Sequence, residues 1–267
     1  MSTDIPKIMH FYWDKSTLCY LQYMTIISFN KFNPDWRIII HEGNSRCGAI
    51  TWNTGEQTIK YSGEDWYYKL KELDYVEFRV VDFESIGFRE DVSEIFKSDY
   101  LRWYLLSTIG GGWSDMDILF TKPLTELNIG DANTVICFRG DVHIIGFFLS
   151  KSNNEYFKKI LDEINYDFDL SDYQSLGSVL FNKVHPSDTT DCIDVKIKNI
   201  SMDCLYSYRD YDIPIIFQGI DLTKLMDETI GVHWYNGSRV SKFFNNNYDP
   251  NTQNISNTIT EILKMIQ

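Results

Sequence analysis

The chain has 267 residues, 43% of them hydrophobic and 15% aromatic, which is enough to bury a sizeable core and too apolar for a disordered chain. With 25 basic against 38 acidic residues and a formal charge of −13, the protein repels nucleic-acid backbones and anionic lipid, so an anionic ligand would need a local positive site or a bridging cation. Five cysteines, an odd number with no C-x-x-C pair, argue against a disulfide framework or a zinc knuckle and predict a reducing, cytoplasmic setting.

The opening MSTDIPKIMHFYWDKS has no basic stretch followed by an apolar one, and no apolar run approaches the roughly 18 residues of a membrane span, so the chain reads as soluble. Lys7–Trp13 is a β-rich run entered through Ile5-Pro6. Thr17–Phe32 carries Tyr20, Met24 and Ile27 at helical spacing and stops at Asn33-Pro34. WRIIIH (Trp36–His41) is the near-continuous apolar strand expected of a parallel sheet covered on both faces, so the opening reads β-α-β. Residues 42–75 read as a polar and aromatic insertion, and VEFRVV (Val76–Val81) as the third strand.

Asp91-Val-Ser-Glu94 has the form of a capping box, opening a helix from about Val92 to Ile109. Its apolar face comprises Val92, Ile95, Phe96, Trp103, Leu106 and Ile109, and Asp99 and Arg102 project into that face. Unpaired charges there would cost several kcal/mol. Either they form a buried ion pair that orders the helix, or the face lines a polar pocket. Gly110-Gly111-Gly112 turns the chain, and Trp113–Phe120 is expected as one strand with Asp115 and Asp117 on the same side. Such a carboxylate pair suits Mg²⁺ or Mn²⁺ better than a softer metal.

Val135–Phe138 and Ile144–Ser150 read as strands joined through Arg139-Gly140-Asp141. Ser152-x-x-Glu155 is a second capping box before a helix with face Phe157, Ile160, Leu161 and Ile164. Strands and helices alternate to this point, which makes the fold class α/β. DIPIIF (Asp212–Phe217) is a further strand candidate, and GVHWYNGS (Gly231–Ser238) places His233 and Trp234 before a turn. The Asn-rich 245–257 is expected to be exposed, leading into a helix with Ile255, Ile259, Ile262 and Ile266 on one face.

SDYLRWYLLSTIGGGWSDMD, together with the opening IPKIMHFYW and NPDWRIIIHEG, resembles glycosyltransferases with a DXD-containing sugar-binding region. These are the family 32 and capsular-polysaccharide type, similar also to the catalytic domains of large clostridial glucosylating toxins. The resemblance covers residues 5–41 and 92–123 well and the rest loosely. It implies a GT-A fold, a Rossmann-like mixed sheet flanked by helices, with 1–267 as a single domain. It also implies a nucleotide-sugar donor (UDP- or GDP-sugar), a divalent cation (Mn²⁺ or Mg²⁺) and retention of anomeric configuration.

Residue by residue, the resemblance places Asp99 on sugar hydroxyls and Arg102 on the sugar or its phosphate. Asp115 falls on ribose or metal, Asp117 on metal, and His233 on metal or diphosphate beside Trp234 and Ser238. Tyr12 or Trp13 would meet the base or pack in the core. Gly177, in Ser175-Leu176-Gly177-Ser178, stands where the family has a T-G-P-like turn, here without the proline. The acceptor, whether glycan, protein or small hydroxyl compound, is written in no motif. Rival readings are a haloacid-dehalogenase-type phosphatase, which Gly-Gly-Gly-Trp-Ser before Asp115 fits poorly, a glycoside hydrolase, and a noncatalytic nucleotide-sugar or carbohydrate-binding module of the same fold.

Overall fold

The computed structural model describes residues 4–44, 60–164, 168–251 and 255–267. Residues 45–59 of the expected insertion at 42–75, including Cys47, lie outside the described residues, and the described part contains one short helix, α2 (Tyr67–Lys71).

The strands are β1 (Ile8–Tyr12), β2 (Arg37–Gly43), β3 (Val76–Val81), β4 (Gly111–Ser114), β5 (Ile118–Phe120), β6 (Thr134–Arg139), β7 (Val142–Ser150), β8 (Ile197–Asn199) and β9 (Gly231–His233). The helices are α1 (Tyr20–Phe32), α2 (Tyr67–Lys71), α3 (Glu94–Thr108), α4 (Glu155–Asp162), α5 (Ser178–Val184), α6 (Ile213–Gln218), α7 (Arg239–Asn247) and α8 (Thr258–Ile266). Seven strands form one sheet in the order β3-β2-β1-β4-β7-β6-β8, and β5 pairs with β9 in a separate two-stranded sheet. β1 is parallel to β2 and β4, β2 to β3, and β6 to β8, while β7 runs antiparallel to both of its neighbours. The result is a mixed, mostly parallel α/β sheet of GT-A type.

Side-chain alternation divides the core between the two faces of the sheet. Met9, Phe11, Val135, Cys137, Phe147 and Leu149 pack with Leu21, Met24 and Phe29 of α1 on one face. Trp113, Ile136 and Phe148 pack with Phe96, Trp103 and Leu106 of α3 and Tyr156 and Phe157 of α4 on the other. Ile38, Ile39 and Ile40 of β2 are all buried, as a doubly covered strand requires.

Several expectations are corrected. Ser93, not Asp91, is the residue before α3, and Asp91 instead pairs with Arg89. α4 is capped by Asn154, whose side chain accepts from the Tyr156 N–H, while the Ser152 hydroxyl donates to the Ile109 carbonyl. Asp212–Phe217 is not a strand. It contains the start of α6, where Pro214 sits in the first turn and lacks an N–H that the helix would not use there. Trp113–Phe120 is two strands in two sheets, broken at Asp115–Asp117. Within the 245–257 segment, Asn245 and Asn257 are buried, because Asn257 caps α8 and reaches the Phe217 carbonyl. Ile255 precedes α8 and is exposed, and Leu263 joins Ile259, Ile262 and Ile266 on the buried face.

Candidate active site

The glycine run sets the position of the carboxylates. Gly110 (φ +73°) and Gly111 (φ +100°) hold the left-handed backbone that other residues avoid. A Cβ on Gly111 would lie 2.5 Å from the Ile8 carbonyl oxygen. The chain therefore turns out of α3 directly into β4 beside β1, and the carboxyl ends of both strands open into one cleft of about 970 Å³. Beyond the carboxyl ends of parallel strands is where open α/β sheets bind ligands.

On one wall, Asp99, Arg102 and Asp115 form a chain of charges. Arg102 Nη1 lies 2.9 Å from Asp99 Oδ1, and Arg102 Nη2 donates to Asp115 Oδ1 at 3.0 Å. Trp113, two residues before Asp115 on the same strand, donates its indole N–H to that same oxygen at 3.0 Å. Arg102 is 3% exposed, yet among the described residues its Nε has no hydrogen-bond partner, and its Nη1, although close to Asp99, makes no hydrogen bond. Burial pushes the Asp99 carboxyl up to about 7, against the pull of Arg102 and with the push of Asp115.

On the opposite wall, β5 and β9 bring Asp117 against His233. His233 pairs with Ile118 in the strand register, and His233 Nε2 lies 3.1 Å from Asp117 Oδ1. The Asn236 N–H donates to Asp117 Oδ2 at 2.9 Å, and the Trp234 N–H to the Asp117 carbonyl at 2.9 Å. The loop is held by Tyr235, a non-glycine residue at φ +54°, whose ring meets His233 edge-on at 4.3 Å. Burial works against both ionised groups, but each offsets it for the other. Asp117 ends below the usual carboxylate value, and His233 ends above the usual imidazole value. His233 Nδ1 is buried and has no hydrogen-bond partner among the described residues.

Tyr12, Trp13, Asp99, Arg102, Asp115, Asp117, His233 and Ser238 all line the cleft. Gly177 does not. It stands behind Asp99, where a Cβ would come within 2.9 Å of Asp99 Oδ2. The Tyr12 hydroxyl donates to Glu94, and the Ser238 side chain caps α7. Sequence reasoning missed Trp113, Asn236, Tyr173, Gln174 and Lys242, which also contribute to the cleft. Trp113 was detectable from its two-residue spacing to Asp115. The others carry no local signal, because distant segments bring them there.

Asp115, Asp117 and His233 offer oxygen and nitrogen donors of the kind that a hard divalent cation accepts. Asp115 Oδ2 accepts no hydrogen bond among the described residues, and His233, whose Nδ1 has no partner among them, lines the same cleft. Among the described residues, no three His, Cys, Asp or Glu side chains already converge on one point. The donor chemistry therefore fits such an ion, with Asp117 and His233 turned toward each other instead.

A larger hollow of about 1450 Å³ lies at the opposite, amino-terminal ends of β1 and β2. Lys7, Lys159 and Lys196 there are paired with Asp35, Asp191 and Asp131, and Lys151 donates to the Asp194 carbonyl. With its cations engaged, it is the less suited of the two to an anionic ligand.

Comparison with known proteins agrees with this geometry. The chain is similar to the glycosyltransferase GlyE of Streptococcus pneumoniae TIGR4, at 12% identity and a TM-score of 0.51 over 97% of this chain and 60% of that one. It thus spans about three fifths of GlyE, and the likeness is one of fold. A PaToxG glycosyltransferase (16% identity, TM-score 0.46, 67% of this chain and 68% of that one) also aligns. So does a galactosyltransferase LgtC in complex with donor and acceptor sugar analogues (13%, 0.44, 97% and 95%). No curated protein sequence matches. The family description "Glycosyltransferase sugar-binding region containing DXD motif" matches residues 22–136, which hold Asp99, Arg102, Asp115 and Asp117. Over residues 22–136, somewhat under half of its length, the chain is thus similar to a DXD-containing glycosyltransferase sugar-binding region.

Proposed function

We propose that the protein is a metal-dependent, retaining glycosyltransferase that moves a hexose from a UDP- or GDP-sugar to a hydroxyl of a glycan, protein or small acceptor. The observation that carries this reading is the convergence of two charged walls, Asp99–Arg102–Asp115 and Asp117–His233, on one cleft at the carboxyl ends of β1 and β4. Buried donors on both walls still lack partners.

In this reading Tyr12 and Trp13 hold the base at the end of β1. Asp99 accepts from sugar hydroxyls, and Arg102, fixed between two carboxylates, directs its remaining donors at sugar or phosphate oxygens. Asp115, Asp117 and His233 hold a divalent cation, Mn²⁺ or Mg²⁺. When bound, such an ion offsets the charge that builds on the leaving diphosphate. The acceptor oxygen bonds to the anomeric carbon on the face from which the diphosphate departs. The bond from that carbon to the phosphate oxygen breaks, and the acceptor proton passes to the departing oxygen. In this reading no carboxylate of the protein acts as a covalent nucleophile, so trapping a glycosyl-enzyme would overturn the same-face route.

The test is release of nucleoside diphosphate from a panel of UDP- and GDP-hexoses, with and without Mn²⁺, by wild type and Asp117→Ala. Metal-stimulated release that Asp117→Ala abolishes is the expected result. Near-normal release by the variant would sink the assignment of Asp117. Donor binding without any release would favour the noncatalytic module.

A further inference from the structure

Tyr206 is 5% exposed and packs its ring on His233, at 4.9 Å between centroids. It belongs to a segment tied to β9, since the Leu205 carbonyl accepts the His233 N–H at 2.8 Å and the Cys204 carbonyl accepts the Ile230 N–H at 2.8 Å. Its hydroxyl is buried and has no hydrogen-bond partner among the described residues. A buried hydroxyl left unpaired is costly and calls for a reason.

The space around that hydroxyl supplies the reason. Gly146, on β7, accepts the Asp115 N–H at 2.8 Å. A Cβ at Gly146 would overlap the Tyr206 hydroxyl and lie 3.0 Å from Asp115 Oδ2. The missing side chain is what lets the phenol reach across β7 toward the carboxylate. Asp115 Oδ1 already takes the Arg102 and Trp113 hydrogen bonds, and Oδ2 takes none from the described residues. A buried donor without a partner and a carboxylate oxygen that accepts from no described residue thus both stand close to the Cβ position that Gly146 leaves empty.

We infer that Tyr206 is a positioning residue for Asp115, its hydroxyl, unpaired in the metal-free protein, donating to Asp115 Oδ2 when cation and diphosphate are bound and so orienting that carboxylate. The assignment rests on the transferase reading above. Burial first, and the Asp115 charge second, push the phenol well above its usual value, so it remains a donor at any working pH. Outer partners that orient ligating groups typically account for ten- to a hundred-fold in metal affinity.

The experiment compares wild type with Tyr206→Phe by two readouts: the thermal midpoint of the metal-free protein, and the affinity for Mn²⁺ by paramagnetic resonance titration with UDP or GDP present. The expected result is a metal-free midpoint equal to or above that of wild type, because an unpaired hydroxyl has been removed, with Mn²⁺ bound about tenfold more weakly or worse. Unchanged Mn²⁺ affinity overturns the assignment alone. Weakened binding accompanied by a midpoint several degrees lower also overturns it, because the phenol is then a packing element. Wild type that binds no Mn²⁺ with either nucleotide overturns the transferase reading, and this assignment with it.

Discussion

Asp99→Asn is expected to make the protein more stable as pH rises while making it a worse enzyme. Asp99 is 4% exposed, and its folded carboxyl keeps its proton up to about pH 7, against 3.8 as the ordinary value. The folded state therefore binds more protons than the unfolded state between these values, and linkage makes stability fall as pH rises through that window. At about 1.4 kcal/mol per pH unit, Asp99 alone removes on the order of 3 to 4 kcal/mol between about pH 4 and pH 7. Asparagine has the same shape and no proton to lose. Arg102 keeps its 3.0 Å bond to Asp115, so the substitution does not strand the guanidinium.

Urea denaturation of wild type and variant at about pH 4.5, 6 and 7.5 isolates the effect, since every other titrating group cancels in the difference. The variant should gain on wild type by roughly 3 kcal/mol across that range. Donor turnover at pH 7.5, where Asp99 is largely ionised, should drop by at least about tenfold from loss of a carboxylate acceptor on the sugar. A stability difference that stays flat with pH would refute the reasoning, because it would mean that Arg102 keeps Asp99 ionised throughout.

The Asp117–His233 pair should give a two-sided profile. His233 ends above 6.5, so its contribution is full below that pH and is lost as pH rises through the raised value. Asp117 ends below 3.8, so its contribution is full above that pH and is lost as pH falls through the lowered value. His233→Gln should flatten the alkaline limb of thermal midpoint against pH, and an unchanged limb would exclude the pair as its source. At Gly177 a methyl group would meet Ile145 Cδ1 at 2.7 Å and Asp99 Oδ2 at 2.9 Å. Gly177→Ala should therefore cost about 1 to 3 kcal/mol by denaturation and weaken nucleotide-sugar binding through the displaced carboxylate. Wild-type affinity in that variant would show that Asp99 does not depend on the space.

The parts of the fold that were legible in the sequence are those where one local pattern decides. The β-branched run of β2, with no proline inside it, fits a parallel strand covered on both faces, and all three isoleucines Ile38–Ile40 are buried. The helical spacing in α3 likewise marked Asp99 and Arg102 as charges on a core-facing surface, and both are buried against each other. Asp212–Phe217 was misread because a short apolar run suits a strand or a buried helix equally, and the proline decided for the helix. The split of Trp113–Phe120 was out of reach for another reason. β5 leaves the main sheet to pair with β9, more than a hundred residues later, and nothing in Asp115-Met-Asp117 announces a partner so distant. Tyr206 and Gly146 share that limitation, since a hydroxyl and a missing methyl form no motif until the chain has folded.

The two-stranded β5–β9 sheet has a consequence for how such a site could be exchanged or inherited. Asp115 terminates a strand of the large sheet, whereas Asp117 opens the small one and takes its imidazole partner and its backbone donor from Ile230–Asn236. The familiar D-x-D is therefore a seam between two independently wired pieces. The Asp99, Arg102 and Asp115 side chains all come from residues 22–136, whereas the partners of Asp117 come from the last quarter of the chain. Grafting the motif segment alone into another scaffold would transplant half a site. A chimera that replaced only the segment around β9 would retune the Asp117 side and leave the Asp99–Arg102 side untouched.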